Sequence, residues 1–382
     1  MNNAGEIAGW DYTTRQPVRL RWVDGLICGL ETVGDAPSDL WIAPSLMDLQ
    51  INGYGGVDFQ QDGLTVEDLL AATQGLCDAG CANYLLTLIT DDWPKLMARL
   101  RHLRAVRAQS IALRRAIAGW HIEGPFLSAE PGFCGAHNPA AMCDPKPEQI
   151  RELRQITESD PVLLTIAPER ADAIPAISLA VALGIKVSLG HTNAPYERLM
   201  QAIETGATGF THLGNGCPRD LDRHDNILWR AFEMRGLTVS LIPDGIHVSP
   251  RLFRLIHRTL GGNSIYYTTD AMAAAGAPPG TYRIGRLELE VGADQVVRLP
   301  GKPNFAGSAL RPIDGVFRAA EMLGCPWQEV WPRFSLAPAR FMGLAGGKLQ
   351  VGEPATFCAV EVSPSNQLRA IQTVICGQAG VQ

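Results

Sequence analysis

The sequence predicts an α/β fold: a (β/α)8 TIM-like barrel with a small β-sandwich domain formed from both chain termini. Strand-like apolar runs alternate with helical stretches through the middle of the chain, eight such runs occur, and both chain ends resemble β-structure. Strands that alternate with helices form parallel sheets, and eight of them suggest a closed barrel. A doubly wound open sheet is the competing architecture, but its commonest signature, G-x-G-x-x-G after a strand, is absent from these runs.

The two chain ends are predicted to form the small β domain together. Residues 17–31 alternate apolar and polar side chains around Asp24-Gly25, which is a strong hairpin signal. Near the other end, residues 355–362 and 368–377 are each typical of a strand. We therefore expect the β-sandwich domain to comprise residues 1–43 plus 345–382, and the barrel to comprise residues 44–344.

The barrel prediction depends on the apolar runs between these ends. The predicted barrel strands are residues 41–51, 82–90, 116–123, 162–168, 185–191, 207–212, 237–244 and 264–270. Amphipathic segments such as 65–80 and 196–206 separate several of them. In the second segment, Leu199 and Ile203 recur at the spacing of a surface helix. This alternation of strand and helix is the pattern that a parallel barrel requires.

Composition excludes some classes of partner. The chain has 382 residues, of which 46% are hydrophobic and 19% charged, so it can bury a large core. Its net charge is -6 and it has no basic block, which argues against nucleic acid as a partner. No apolar run approaches the roughly 18–20 residues needed to cross a bilayer. We therefore expect neither nucleic acid nor membrane among the partners.

The cysteines indicate a reducing compartment. There are 9 of them, an odd number, and none forms a C-x-x-C pair. A secreted disulfide framework would be expected to have an even number at regular spacings. The N-terminus also lacks the basic start and apolar centre of a signal peptide. We therefore predict free, mostly buried thiols and a cytoplasmic protein.

Candidate metal ligands stand at the ends of three predicted strands. The third strand ends in Glu123, the fifth in His191 and the sixth in His212. Barrel enzymes place their active groups at the carboxyl ends of the strands, where residues distant in sequence converge. One carboxylate and two imidazoles are a ligand set of catalytic zinc, which keeps an open position for water. A single histidine at a strand end is more often structural, but several such ends together favour a metal site.

Asp270 ends the eighth predicted strand and is the candidate acid/base. A carboxylate beside a divalent cation can take a proton from water and deliver it to a leaving group. The alternative role is a helix cap, because aspartate is favoured there; the other strand ends favour the catalytic role. His121 precedes Glu123 by two residues on the same strand face, and its role is open between supporting the metal site and a hydrogen-bonded core residue.

Eight motifs, taken together, allow a family to be recognised. They are LMDLQINGYGGVDF, HIEGPFLS, GAHNP, SLGHTNA, THLGNGCP, DGIHV, TTDAMAAAG and FAGSAL, in this order. In order and approximate spacing, they resemble the N-acetylglucosamine-6-phosphate deacetylase family of the amidohydrolase superfamily. The resemblance runs from about residue 41 to the segment KLQVGEPATF. It implies hydrolytic deacetylation of N-acetyl-D-glucosamine 6-phosphate in amino sugar catabolism, by a metal-activated water and an aspartate general acid/base.

The resemblance also implies roles for individual residues. Glu123, His191 and His212 match the family's metal ligands, and Asp270 matches its acid/base. Arg223 falls where the family has a phosphate-binding arginine that reaches across from the neighbouring subunit, so a homodimer is expected. The remaining substrate contacts implied are Ala136, His137, Asn215, Gly216 and His247, with Phe305, Ala306 and Gly307 in a loop that covers the substrate.

The chain differs from many members of the superfamily on its first strand, and this difference bears on the number of metal ions. Many superfamily members have His-x-His on the first strand and bind two metals, whereas this chain has Gln50-x-Asn52, and amides are poor ligands beside imidazole. We therefore expect one divalent ion per subunit, with Gln50 and Asn52 near it. Zinc is the expected ion; iron(II), cobalt or manganese suit the same ligands.

Further departures from the family border the expected sugar pocket. Gly214 and Gly216 stand where the family more often has an aromatic residue and an alanine, and the stretch RDLDRHDN around Arg223 is unusual. The alternatives are therefore the same chemistry on N-acetylgalactosamine 6-phosphate or another acetamido sugar, a metal-free sugar-phosphate isomerase, and a non-catalytic sugar-phosphate binder. His224 can join the phosphate site or be solvated, and the second is favoured.

Overall fold

The computed structural model describes residues 4–37, 39–300, 306–363 and 368–380. Its strands are β1 (Gly5–Asp11), β2 (Pro17–Val23), β3 (Leu26–Thr32), β4 (Leu40–Pro44), β5 (Leu46–Ile51), β6 (Gly53–Tyr54), β7 (Val57–Asp58), β8 (Cys81–Ile89), β9 (Ile117–Glu123), β10 (Val162–Ile166), β11 (Lys186–Leu189), β12 (Gly209–Phe210), β13 (Thr238–Leu241), β14 (Ile265–Tyr267), β15 (Gly280–Ile284), β16 (Leu287–Val291), β17 (Val297–Arg298), β18 (Phe357–Val362), β19 (Leu368–Ile375) and β20 (Gln378–Ala379). Its α-helices are α1 (Val66–Asp78), α2 (Trp93–Ala108), α3 (Ile111–Ala116), α4 (Pro147–Thr157), α5 (Ala173–Ala182), α6 (Tyr196–Glu204), α7 (Ile227–Glu233), α8 (Pro250–Leu260), α9 (Pro312–Leu323), α10 (Trp327–Val330) and α11 (Leu336–Met342).

The predicted barrel is confirmed. Eight strands form one sheet in the order β5, β8, β9, β10, β11, β12, β13 and β14. All neighbouring pairs run parallel. Each connection between consecutive barrel strands contains at least one of the helices α1 to α8. Every residue of β5 and β10 is buried, because helices cover the outer face while side chains fill the interior. The eight carboxyl ends therefore open on the same face.

The first predicted barrel strand is divided in two, which corrects the single run 41–51. β4 ends at Pro44 and pairs with β18, where Pro44 lies opposite Phe357. After Ser45 the chain changes partners, and Leu46 pairs with Cys81 at the start of β8. A continuous apolar run cannot reveal this change, because both halves are buried in different sheets.

The terminal β domain contains a seven-stranded mixed sheet in the order β20, β19, β18, β4, β1, β2 and β3. It thus combines strands from both chain ends, as predicted. The hairpin at Asp24-Gly25 is confirmed: Val23 pairs with Leu26, and both turn residues have positive φ, at 51° and 80°. The boundaries 1–43 plus 345–382 and 44–344 stay a prediction.

A small antiparallel sheet of β15, β16 and β17 follows the last barrel strand. Ile284, Leu289 and Val291 of this sheet share an apolar cluster with Met272, close to the end of β14. The turn between β15 and β16 is held by Asp58, whose Oδ2 accepts the Gly285 N–H at 2.8 Å. The sequence did not indicate this element.

The predicted free thiols are confirmed, but the prediction that most of them are buried is wrong: only Cys77, Cys81 and Cys358 are buried, and the other six are partly or fully exposed. All 9 cysteines, which lie within the described ranges, are free. Burial raises the pKa of Cys77 and Cys358 to about 12, so these thiols stay protonated. Among the helices of the described ranges, none has the length and apolar character of a membrane span.

Gly119, on the same strand as Glu123, should not tolerate a side chain. A Cβ at Gly119 would overlap the carbonyl oxygen of Pro161, which accepts the Trp120 N–H at 2.9 Å. We expect Gly119→Ala to lower the free energy of unfolding by about 1–3 kcal/mol because of overpacking. Gly34→Ala is the control, since nothing lies within 4 Å of a Cβ there. Thermal unfolding of both variants checks this prediction; equal melting temperatures would contradict it.

Candidate active site

The carboxyl ends of β9, β11 and β12 bring the three predicted metal ligands together. Glu123 is the last residue of β9, and His191 and His212 follow β11 and β12 by two residues each. One donor atom from each of the three lies within 4.8 Å of the others, and all three side chains are buried. The convergence predicted from strand ends is therefore present in the structure.

Glu123 is surrounded by imidazoles. Its Oε1 lies 2.8 Å from His212 Nε2 and 3.5 Å from His191 Nε2, and its Oε2 lies 3.7 Å from His137 Nε2. Burial opposes ionisation of this carboxyl, but the contacts with the three imidazoles outweigh it and hold the pKa of Glu123 well below its usual range. Glu123 is consequently an anion in the interior, which is the form that binds a cation.

The hydrogen bonds of His191 and His137 assign them opposite tautomers. His191 Nδ1 lies 2.7 Å from the Phe133 carbonyl oxygen, which can only accept, so in the neutral ring Nδ1 carries the proton and the lone pair is on Nε2. The Thr90 N–H points at His137 Nδ1 from 3.4 Å, and Thr90 Oγ1 lies 2.9 Å from the same nitrogen. Because the backbone N–H can only donate, Nδ1 accepts, and in the neutral ring Nε2 carries the proton. Burial lowers the pKa of His137 to about 3 and keeps that ring neutral. His191 is therefore suited to ligate, and His137 to donate a hydrogen bond.

The donor set fits a divalent cation. It combines one buried carboxylate with the Nε2 atoms of two imidazoles, and the backbone carbonyl of Phe133 orients one of these rings. Three protein ligands of these types are the usual set of a catalytic zinc site. Glu123, His191 and His212 would hold the ion.

Asp270 lies beside this group, held by the two amides of the first strand. Its Oδ1 accepts hydrogen bonds from Gln50 Nε2 at 2.9 Å and from Asn52 Nδ2 at 2.6 Å. Burial, together with the nearby Glu123 charge, raises the pKa of Asp270 to about 8. A carboxyl group with its pKa near neutrality can both accept and return a proton.

The chain is similar to known proteins over most of its length. No family model matches the chain. The N-acetylglucosamine-6-phosphate deacetylase of Bos taurus is 30% identical over 334 residues, 84% of this chain and 80% of that protein. The chain belongs to the N-acetylglucosamine-6-phosphate deacetylase family. It is thus a metal-dependent amidohydrolase of the deacetylase type.

Two further comparisons bear on this family's structure and substrates. A mutant N-acetyl-D-glucosamine-6-phosphate deacetylase from Mycobacterium smegmatis, solved in complex with N-acetyl-D-glucosamine-6-phosphate, has a TM-score of 0.84 and 30% identity, covering 96% of this chain and 95% of that one. An N-acetylgalactosamine-6-phosphate deacetylase from Escherichia coli O157:H7 is 28% identical and covers 90% of each chain. Deacetylases of both sugar epimers are therefore similar to this chain to nearly the same degree.

Of the residues that the family resemblance marks as substrate contacts, Asn215 and Gly216 lie next to the group of Glu123, His191 and His212. Asn215 donates its backbone N–H to the His212 carbonyl at 2.9 Å, and Gly216 is so close to the His191 ring that a Cβ would lie 2.8 Å from Nδ1. Ala136 packs against the apolar cluster of the β15–β17 sheet, and Ala306 is part of that cluster. Gly307 lies against the backbone of Asp270. Phe305 lies outside the described residues, and the covering role of this loop stays a prediction.

Two other predicted substrate contacts lie in loops. Arg223 is exposed between β12 and α7, where its Nε donates to His224 Nε2 at 2.9 Å; His224 is exposed as well. His247 Nδ1 lies 2.6 Å from Asp244 Oδ2 in the loop after β13. Their contact with substrate stays a prediction.

His121 has the environment of a hydrogen-bonded core residue. It is fully buried, and its Nε2 lies 2.8 Å from Thr165 Oγ1. Burial lowers the pKa of His121 to about 4, so the ring is neutral. Its nitrogen atoms are not part of the three-residue donor group. Of the two roles left open, this environment favours the core residue.

Asp48 and Ser240 support the site but were not recognised from the sequence. Ser240 Oγ accepts the His212 N–H at 2.6 Å, and Asp48 accepts the Thr269 N–H at 2.9 Å, next to Asp270. The strand period offered a signal for one of them: Asp48 shares its strand face with Gln50 and Asn52. No comparable signal marks Ser240.

Proposed function

We propose that this chain hydrolyses N-acetyl-D-glucosamine 6-phosphate to glucosamine 6-phosphate and acetate. The observation that carries the chemistry is the buried group of Glu123, His191 and His212, with Asp270 beside it. The family relatives support the substrate class, an acetylated amino sugar phosphate. We propose further that the enzyme acts as a cytoplasmic homodimer.

In this proposal Asp270 moves the proton. The ion held by Glu123, His191 and His212 would acidify a water molecule and polarise the acetamide carbonyl. Asp270 accepts a proton as the water oxygen forms a bond to the carbonyl carbon. It then returns a proton to the nitrogen as the C–N bond breaks, which releases acetate and the free amine. Both transfers use the carboxyl that Gln50 and Asn52 hold in place.

His137 is the proposed donor to the developing oxyanion. Its Nδ1 is occupied by the Thr90 N–H, so its Nε2–H points toward the Glu123 side of the site. A preorganised donor of this kind stabilises negative charge as it forms. His247 is the second candidate for the same role, or for a contact with the sugar.

Assay of acetate release tests the function. Purified protein is given N-acetylglucosamine 6-phosphate, N-acetylgalactosamine 6-phosphate or unphosphorylated N-acetylglucosamine, before and after chelation, with metal analysis of the same sample. We expect metal-dependent acetate release from the first sugar and far less from the unphosphorylated one. Acetate release that survives complete removal of metal would exclude the proposed chemistry, and turnover without any acetate would favour an isomerase.

The galactosamine epimer is a second candidate substrate. It is supported by the similarity to the Escherichia coli O157:H7 deacetylase, at 28% identity over 90% of each chain. The ratio of kcat/KM for the two 6-phosphates decides between them. A ratio in favour of N-acetylgalactosamine 6-phosphate would keep the mechanism and change the sugar.

Arg223 is proposed to bind the sugar phosphate. A guanidinium presents fixed charge and a planar set of donors to a phosphate. We expect Arg223→Ala to raise KM by about 10- to 100-fold, the range for a lost charged hydrogen bond, with kcat changed much less. Arg219→Ala, an exposed arginine of the same loop, is the control. Equal effects of the two substitutions would show that only the general charge of the loop matters.

A further inference from the structure

The barrel has a seam between its first strand, β5, and its last strand, β14. Within the described residues the hydrogen-bonded ladder ends at these two strands. An isolated parallel bridge between Ile51 and Ala271 joins the chain beyond β14 to the end of β5. Across this seam, contacts other than a regular ladder must therefore hold the first and eighth strands in register.

The Asp48 carboxylate spans the seam. Its Oδ2 accepts the Thr269 N–H at 2.9 Å and the Thr269 hydroxyl at 2.6 Å. Its Oδ1 accepts the Thr268 hydroxyl and, on its own strand, the Gln50 N–H at 3.1 Å. The side chain is fully buried, at 0% exposure. A buried carboxylate tolerates this position because hydrogen bonds from both strands satisfy its oxygens.

Asp270 and the two amides that hold its carboxyl lie on opposite sides of the seam. On the first strand, Gln50 and Asn52 donate to Asp270 Oδ1. On the other side, Asp270 follows Thr269 directly and has φ of 52°, a left-handed conformation that is strained for a residue with a side chain. Ser308 is hydrogen-bonded to the same segment, because its N–H donates to the Asp270 carbonyl at 2.9 Å.

We propose that Asp48 is a positioning residue for the acid/base. By tying Thr268 and Thr269 to the strand of Gln50, it keeps the Asp270 backbone in its left-handed conformation and its carboxyl against the two amides. Asp48 does not touch the substrate in this proposal. The inference rests on the proposed function, because the position of Asp270 affects turnover only if Asp270 transfers the proton.

The main test is Asp48→Asn, which preserves size but places an amide nitrogen among hydrogen-bond donors. Misplacement of a catalytic group by about 1 Å can cost about 100-fold. We expect kcat to fall by about 10- to 100-fold, with KM within about threefold of wild type and metal content unchanged. A wild-type kcat in a folded Asp48→Asn protein would overturn the proposal.

A double-mutant cycle separates positioning from general structural support. If Asp48 acts through Asp270, adding Asp48→Asn to Asp270→Asn should lower the residual rate by less than about twofold. Independent effects that multiply in the double variant would overturn the proposal. Asp11→Asn is the control for loss of a buried carboxylate far from the site, since Asp11 accepts the Thr13 and Thr14 N–H groups in the terminal domain.

Thr269 offers a second route if Asp48→Asn does not fold. Thr269→Val removes the hydroxyl that donates to Asp48 and accepts the Ala271 N–H, whereas Thr269→Ser keeps it. We expect a loss of kcat in the first variant and rescue in the second; equal rates would overturn the proposal.

A crystal structure makes the test independent of turnover. In Asp48→Asn, or in Thr269→Val if that variant alone folds, Asp270 should move away from Gln50 and Asn52, and an unmoved Asp270 would contradict the inference. An inactive wild-type protein would instead refute the proposed function, so the two failures are distinguishable.

Discussion

Asp270→Asn should lower kcat by about 100- to 10,000-fold, the range that general acid/base catalysis contributes. Asparagine has the shape of aspartate, and its amide oxygen can still accept the hydrogen bonds from Gln50 and Asn52 that now reach Oδ1. The remaining amide nitrogen cannot take a proton from water. Because Asp270 is not part of the three-residue donor group, metal content and KM should stay close to wild type.

The measurement is steady-state acetate release, with metal analysis of the same preparation. Asp58→Asn is a matched control, because Asp58 is also a buried carboxylate with hydrogen bonds from backbone N–H groups, those of Gln60 and Gly285. We expect this control to lose stability but to retain kcat within about tenfold, since catalytic losses come from groups that act on the transition state. An Asp270→Asn enzyme with wild-type turnover would exclude Asp270 as the proton carrier.

Loss of a ligand from the Glu123, His191 and His212 group should lower metal binding and turnover together. We expect His191→Asn to lower the bound metal by about tenfold or more, because a three-ligand site depends on each of its ligands. Chelation of the wild-type protein should have the same effect on acetate release, and added zinc should reverse it.

His121→Asn is the matched control for this prediction. His121 is as deeply buried as the ligands and lies two residues before Glu123, but its hydrogen bond is to Thr165. This variant should keep its metal while losing thermal stability, which inductively coupled plasma mass spectrometry and thermal unfolding can separate. Equal metal loss in both variants would show that metal binding is lost after any change in the barrel interior.

The prediction of the fold succeeded where the sequence pattern is local. Runs of apolar residues alternating with amphipathic segments indicate strands and helices wherever they occur, and Asp24-Gly25 indicates a hairpin from two residues alone. The division of residues 41–51 into β4 and β5 was not predicted, because Ser45 lies between two strands that are both buried. Burial in two different sheets leaves the same apolar pattern as burial in one.

The candidate site could be predicted because the carboxyl ends of all strands of a barrel lie together on one face. Once Glu123, His191 and His212 are placed at strand ends, the fold itself makes them neighbours. The same argument marked Asp270, at the end of the eighth predicted strand, as the acid/base, and resemblance to a family then added the substrate contacts.

The alternation of strands and helices and the chemical types of the candidate ligands can be recognised in the amino-acid sequence alone. The ring nitrogens that His191 and His137 direct toward the donor group depend on tertiary contacts, since Phe133 and Thr90, which orient these rings, are distant in the chain. The contact of Asp48 with Thr269 across the barrel seam depends on the fold in the same way. Hydrogen bonds between residues far apart in sequence leave no periodic pattern, so they become visible only when the chain has folded.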